Sequence, residues 1–330
     1  MLVLRALGLG DALTGVAPLR GVRRRWPDRR LVLAAPDQLG RLLQRLGVVD
    51  DVLPTAGLEP LPHKALRDHG LAGGHVAVNL HGRGPESHRL LQATGPRQLV
   101  AFSCEGVGHV DGPVWVQDEH EVDRWCRLLT GVGGDCGPTD LLLPTVETAA
   151  PRDYEDVIVV HPGASSGSRR WPASSWRQVA GELASSGLRV VVTGNAVERD
   201  LCAEVARAHP DVEDLSGSLE LEQLCGLVAH ARLLLSGDTG VAHLATAWST
   251  PSVTLFGPVP PTWWGAAVER HLHIALWTGG SVATDDEPYT GDPHGDEVDP
   301  ALARIPVDEV LSAAEGLLRQ PSCVGGAGAV

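Results

Sequence analysis

The sequence predicts an α/β protein of two Rossmann-like, doubly wound parallel-sheet domains facing a central cleft. Three observations lead there. The chain has 330 residues, long for one core and natural for two. Apolar runs of strand length recur without clean alternation, as in strands covered on both faces. Helical stretches separate most of these runs, as the crossovers of a parallel sheet require.

The elements follow in order. The apolar opening before Gly8 predicts a buried strand, then a glycine turn and a helix from about Asp11 to Arg25. "RLVLAAP" is the next strand and "DQLGRLLQRLG" the next helix. "HVAVNL" and "RQLVAF" are two further strands. Residues 118–130 read as a helix with an acidic first turn, which suits the helix dipole. Residues 131–156 are rich in Gly, Pro and Thr and carry no sustained period. They mark the domain boundary, giving a first domain over 1–143, a linker over 144–156 and a second domain over 157–305. In the second domain "VIVVHPG" is a strand. The next helix sets Trp176, Val179, Ala180, Leu183 and Ala184 on one face and ends at Gly187. "LRVVVTGN", "RLLLSG" and "PSVTLFG" are strands; "AVERDLCAEVARAH", "SLELEQLCGLVAHA" and "TGVAHLATAW" are helices. Beyond Trp264 the pattern weakens into an acidic, turn-rich loop. Residues 306–320 form a last amphipathic helix, and 321–330 read as a disordered tail.

Composition narrows the function. With 41 acidic and 27 basic residues the formal charge is −14, which repels nucleic acid and anionic membrane surfaces in bulk. The six cysteines are scattered and none forms C-x-x-C, so they read as reduced thiols, neither a disulfide framework nor a zinc site. The opening residues lack a basic n-region and a cleavage site, and no run reaches the roughly 20 apolar residues of a membrane span. The expected setting is the cytoplasm, with at most peripheral association at the inner face of the plasma membrane.

Three strand-end loops of the second domain can carry chemistry, because ligands of such sheets bind at the carboxyl ends of the strands. "HPGASSGSRRWP" joins small residues, among them Ser165, to Arg169 and Arg170. Its backbone N–H groups and guanidinium groups suit an anion, although two solvated arginines on a turn are the simpler reading. "TGNAVERD" puts Glu198 in a first helical turn, where it is either a dipole acid or an acceptor for sugar hydroxyls. "SGDTGVAH" ends a strand and opens a helix. Thr239, Gly240 and Val241 then offer free N–H donors to a phosphate, and Asp238 is better aimed at hydroxyls or at helix capping. His243, one turn on, is either a donor to a phosphate or sugar oxygen or a satisfied core histidine.

In the first domain Gly8-Leu9-Gly10 matches half of a dinucleotide fingerprint. Leu13 stands at its third glycine and no acid ends the next strand, which disfavours NAD. Asp11 is either a cap or a general base facing the cleft. "NLHGRGPESHRLL" offers His81, Arg83, His88 and Arg89 to a ligand, or to solvent. No Asp-x-Asp lies at a strand end, so no magnesium or other metal site is expected.

At "LGLGDAL", "HPGASSGSRRWP" with Trp176 beyond it, and "SGDTGVAHLATAWSTPSVTLFGP", the chain resembles glycosyltransferase family 9, the ADP-heptose:lipopolysaccharide heptosyltransferases. The resemblance runs from residue 1 to about 320. It implies a GT-B fold whose last helix packs back toward the first domain. The first domain would take the acceptor, a glycan or glycolipid, with Gly10, His81, Arg83 and His88 on that side. The second would take the nucleotide diphosphate sugar, typically ADP-heptose. It implies inverting sugar transfer with Asp11 as general base. Ser165, Arg169, Arg170, Glu198, Asp238, Thr239, Gly240 and His243 would bind the donor, with no cofactor or metal required. Two departures stand out. Arginine at 169 replaces a common lysine, and Asn79-Leu80-His81-Gly82 replaces a more usual Asp-x-Gln-Gly on the acceptor side. A nucleotide-sugar epimerase on the same fold and a non-catalytic nucleotide-sugar binder are the alternatives.

Overall fold

A computed structural model of the chain describes residues 1–144, 154–281 and 289–320. Most of the expected linker, the expected tail and Cys323 lie outside the described residues. The chain divides into two compact units.

The first unit comprises Met1–Glu147 with Thr246–Trp248 and Thr262–Val268. Its elements run β1 (Leu2–Leu4), α1 (Leu9–Thr14), α2 (Val16–Arg25), β2 (Val32–Ala35), α3 (Asp37–Arg45), β3 (Asp51–Pro54), α4 (His63–Asp68), β4 (Val76–Asn79), α5 (Glu86–Gln92), β5 (Gln98–Val100) and α6 (Glu121–Thr130). The five strands are all parallel, in the order β3-β2-β1-β4-β5. Leu2, Leu4, Val32, Ala34, Leu53 and Ala77 build the core on one face. The order reverses between β1 and β4, so the loops after Leu4 and Asn79 emerge side by side.

The helix expected from Asp11 to Arg25 is two helices meeting at Gly15. A Cβ at Gly15 would lie 2.7 Å from the Arg5 side chain, which passes beneath the junction. Glycine is the residue that admits this approach. The cysteine expectation is also corrected. Cys126, in α6, is joined to Cys136 by a disulfide, because residues 131–135 turn the chain back on the helix. Cys104, Cys202 and Cys225 are not disulfide-bonded.

The second unit runs β6 (Ile158–His161), α7 (Ala173–Ser185), β7 (Val190–Val192), α8 (Arg199–Ala206), β8 (Val212–Asp214), α9 (Leu221–Ala229), β9 (Leu233–Gly237), α10 (Gly240–Ala247), β10 (Ser252–Leu255), α11 (Pro261–Trp264), β11 (His273–Leu276), α12 (Pro300–Ala303) and α13 (Val307–Leu318); the ends of α10 and α11 fall in the short segments grouped with the first unit. Six parallel strands lie in the order β11-β10-β9-β6-β7-β8. Here the order reverses between β6 and β9, with His161 opposite Ser236. Val310, Ala314 and Leu317 of the last helix are part of the second unit's core, with Trp176, Val179 and Leu235. The apolar stripe of α13 finds its cover beside α7 and β10. Among the described residues no helix is long and apolar enough to cross a membrane.

Candidate functional site

In the second unit the loops that leave β6 and β9 at the reversal of strand order meet through Arg169. Its Nη1 donates to the main-chain oxygen of Asp238 at 3.3 Å, its Nε to Ser166 Oγ at 3.2 Å, and its Nη2 to Ser165 Oγ. The loop is pinned from below by Trp171. That ring is buried and packs edge-to-face on Trp176 with centroids 5.0 Å apart, a contact worth about 0.5–1.5 kcal/mol beyond its area. A half-buried guanidinium is thus set beside the start of α10, where Thr239 and Gly240 are also half-buried. Guanidinium and helix-start N–H groups together make an anion site. Arg170 turns elsewhere: it is exposed and its Nε donates to the Ala164 carbonyl. His243 lies one turn into α10 and is half-buried.

Glu198 is buried beside the same loop. Its Oε2 accepts from the Asn195 N–H at 2.9 Å, while the Asn195 side chain accepts from the Val197 N–H. Its carboxylate occupies the space a side chain at Gly163 would need. Glu198 therefore caps its own turn and also touches the β6 loop.

Residues 289–299, read from sequence only as acidic loop, back the Arg169 loop directly. The Ser168 N–H donates to Gly295 O and the Asp299 N–H to Ser168 O, while the Gly291 N–H donates to Pro258 O in the loop after β10. Ser166 Oγ donates to Pro293 O at 2.6 Å. Asp299 caps α12 through the Ala301 N–H and accepts from the Tyr289 hydroxyl at 2.6 Å. Burial, with the Asp299 carboxylate beside it, pushes the Tyr289 hydroxyl up to about 12.

In the first unit the reversal of strand order holds Asp11. Its carboxyl is 28% exposed, with Oδ1 3.6 Å from Arg5 Nη2. The same Nη2 lies 3.2 Å from Glu121 Oε1. Burial raises the Asp11 carboxyl above the ordinary aspartate value; Arg5 opposes the rise and Glu121 adds to it. A part-exposed carboxyl of raised basicity in the first turn of the helix that follows β1 has the character of a general base. Gly10, one residue before it, is half-buried.

His81 comes from the neighbouring β4 loop, its Nδ1 accepting from the Ala6 N–H at 3.2 Å. Burial, with Arg5 nearby, lowers its pKa to about 4, so the ring is neutral near pH 7. Arg83 is exposed. His88, expected on the acceptor side, is corrected: it is fully buried, with ring nitrogens against Asn79 Nδ2 at 3.1 Å and Phe102 O at 2.8 Å. The apolar face of α5 carries it into the interior. Sequence reasoning missed Arg5 and Glu121. A lone arginine inside an apolar strand run was the available signal, since burying it demands partners.

Among the described residues no three His, Cys, Asp or Glu side chains gather as metal ligands.

The pattern of glycosyltransferase family 9 (heptosyltransferase) matches residues 113–286. Lipopolysaccharide heptosyltransferase 2 of Salmonella typhimurium is 31% identical over 315 residues, 84% of this chain and 88% of that protein. The chain belongs to glycosyltransferase family 9. Its fold agrees. The Escherichia coli ADP-heptose lipopolysaccharide heptosyltransferase II superposes with a TM-score of 0.74 at 21% identity, covering 96% of this chain and 98% of that one. A family 9 glycosyltransferase from Veillonella parvula gives 0.77 at 18% identity, covering 96% of each. More distantly, the dodecameric iron-containing heptosyltransferase TibC gives 0.57 at 17% identity, covering 96% of this chain and 76% of that one. This family 9 glycosyltransferase therefore has the GT-B fold, its two parallel sheets each carrying one of the residue groups described above.

Proposed function

We propose that this glycosyltransferase moves a heptose from ADP-heptose to a hydroxyl of a lipopolysaccharide-type glycolipid, with inversion at the anomeric carbon. Asp11 takes the proton of the acceptor hydroxyl. The acceptor oxygen forms its bond to the anomeric carbon as the bond to the diphosphate breaks, and ADP leaves. Negative charge grows on the diphosphate, where Arg169 and the N–H groups of Thr239, Gly240 and Val241 offset it. Ser165 and Ser166 hold the guanidinium, and Asp238, Glu198 and His243 contact the sugar and diphosphate. Gly10, His81 and Arg83 line the acceptor side. Because Arg169 supplies the cation, the reaction is expected to run without an added divalent ion. The protein is placed in the cytoplasm, at most peripheral to the membrane where such an acceptor is assembled.

The observation that carries this reading is the Arg169 guanidinium held across two strand-end loops beside a helix start. Family membership turns that anion site toward a nucleotide sugar. Calorimetric titration with ADP, UDP, GDP and NAD tests it. Selective ADP binding supports the donor assignment, while a preference for NAD, or no diphosphate binding, removes it. The base is tested by turnover of ADP-heptose with a heptose-deficient lipopolysaccharide acceptor, where Asp11→Asn should cost at least about 100-fold. Near-normal turnover in that variant removes Asp11 from the role.

A further inference from the structure

Arg5 leaves the end of an apolar strand with its side chain 1% exposed, and each guanidinium nitrogen has a partner. Nε donates to the main-chain oxygen of Asp11 and Nη1 to Leu80 O. Nη2 donates to Thr14 Oγ1 at 2.9 Å and Glu121 Oε1 at 3.2 Å, with the Asp11 carboxylate 3.6 Å away. Glu121 is shared in turn: its Oε1 accepts from Trp125 Nε1 at 2.6 Å, and its Oε2 from Arg124 Nη1. The charges run Asp11, Arg5, Glu121, Arg124 in alternating sign. Glu121 and Arg124 are each 6% exposed in their side chains, so the row opens to solvent at the Asp11 end.

We propose that Arg5, Glu121 and Arg124 are positioning residues for Asp11, Arg5 fixing its main chain and carboxylate while Glu121 divides the charge of Arg5. This rests on the reading of Asp11 as the general base. An arginine with Asp11 as its sole anion would stabilise the carboxylate and weaken it as a proton acceptor. Glu121 draws on the same nitrogen and repels the Asp11 charge, and Arg124 limits how strongly it does so. The charged groups acting on Asp11 are Arg5 from the β1–α1 connection and Glu121 from α6; Arg124 pairs with Glu121, and His81 from the β4–α5 loop lies near Arg5. His81, held near a pKa of about 4 by burial and Arg5, carries little charge above pH 5.

The test is a carbon-13 NMR titration of aspartate carboxyls in the full chain, which needs no substrate. The Asp11 resonance is identified by its loss in Asp11→Asn. Glu121→Gln keeps the shape and an oxygen for the Arg5 and Trp125 donors, gives up the bond from Arg124, and removes the charge. It should lower the Asp11 midpoint by about one pH unit. Arg124→Gln frees the Glu121 charge and should raise the midpoint. Loosened packing does not produce opposite signs in two neighbouring variants. If Glu121→Gln fails to fold, the upward shift in Arg124→Gln carries the test alone. Unmoved midpoints, or shifts of one sign, in folded variants overturn the proposal. Full turnover in Asp11→Asn would remove the base reading, leaving the charge row to be judged by the titration.

Discussion

Arg169 Nη1 lies 3.3 Å from the main-chain oxygen of Asp238, so the loops leaving β6 and β9 are tied through a cation. The two serines fix its plane. Lysine has one point charge and no fork. Arg169→Lys should therefore weaken ADP binding about 10-fold, and Arg169→Ala about 100-fold, by calorimetry. Equal affinity in all three proteins would place the diphosphate elsewhere.

Gly163 and Glu198 compete for one volume. In Gly163→Ala the new methyl overlaps the Glu198 carboxylate, which must leave the Asn195 N–H. A loss of about 1–3 kcal/mol is expected, read as a lowered melting temperature. Adding Glu198→Ala should restore part of it; no recovery would show that the glycine is needed for another reason.

Acid should loosen the second unit through His161 and His273. Burial lowers both to about 4, below the ordinary histidine value near 6.5. The unfolded chain then binds more protons between about pH 6.5 and 4. Stability is full above 6.5 and falls as pH drops, by up to about 1.4 kcal/mol per pH unit for a fully buried ring such as His161. Denaturant melts at pH 7 and pH 5 check this. His161→Gln with His273→Gln should flatten the difference, and an unchanged slope would assign it to other groups.

Turnover should survive EDTA, because Arg169 provides the charge on the donor side. The related heptosyltransferase TibC contains iron, which gives the experiment its edge. Loss of activity that only a metal ion restores would contradict the arginine's role.

Cys126 and Cys136 should resist alkylation in chain unfolded without reductant, while Cys104, Cys202 and Cys225 react. Mass spectrometry reads the difference. Closing this short loop is worth about 3 kcal/mol in the chain-entropy account, so dithiothreitol should lower the melting temperature of the first unit. Six alkylated cysteines would mean that the pair is open in the isolated protein.

The interior strands were legible because both their faces are covered. β1, β2, β4, β6, β7, β9 and β10 all come from apolar runs. The three strands not foreseen, β3, β8 and β11, are sheet edges. Their burial is uneven, so Asp51–Pro54, Val212–Asp214 and His273–Leu276 leave no continuous apolar signal. The strand-end loops were legible for a related reason, since glycine, serine and charge interrupt the apolar pattern there. Glu121 was visible only as a first-turn acid. Its pairing with Arg5 spans 116 positions, and no local pattern encodes a contact of that range. His88 misled because a polar residue on a buried helix face looks the same in sequence as one facing a ligand.

The stretch from 289 to 299 backs the Arg169 loop largely through main-chain atoms, Ser168 N–H to Gly295 O and Asp299 N–H to Ser168 O, and holds the loop after β10 by Gly291 N–H to Pro258 O. Such bonds are indifferent to most side chains. Evolution can therefore rewrite much of this segment's spelling while preserving its path. Length should be inherited more strictly than identity, with Tyr289 and Asp299 as the fixed letters. An insertion there would be costlier than almost any substitution, and relatives of this enzyme should differ in that segment by exchange more often than by gap.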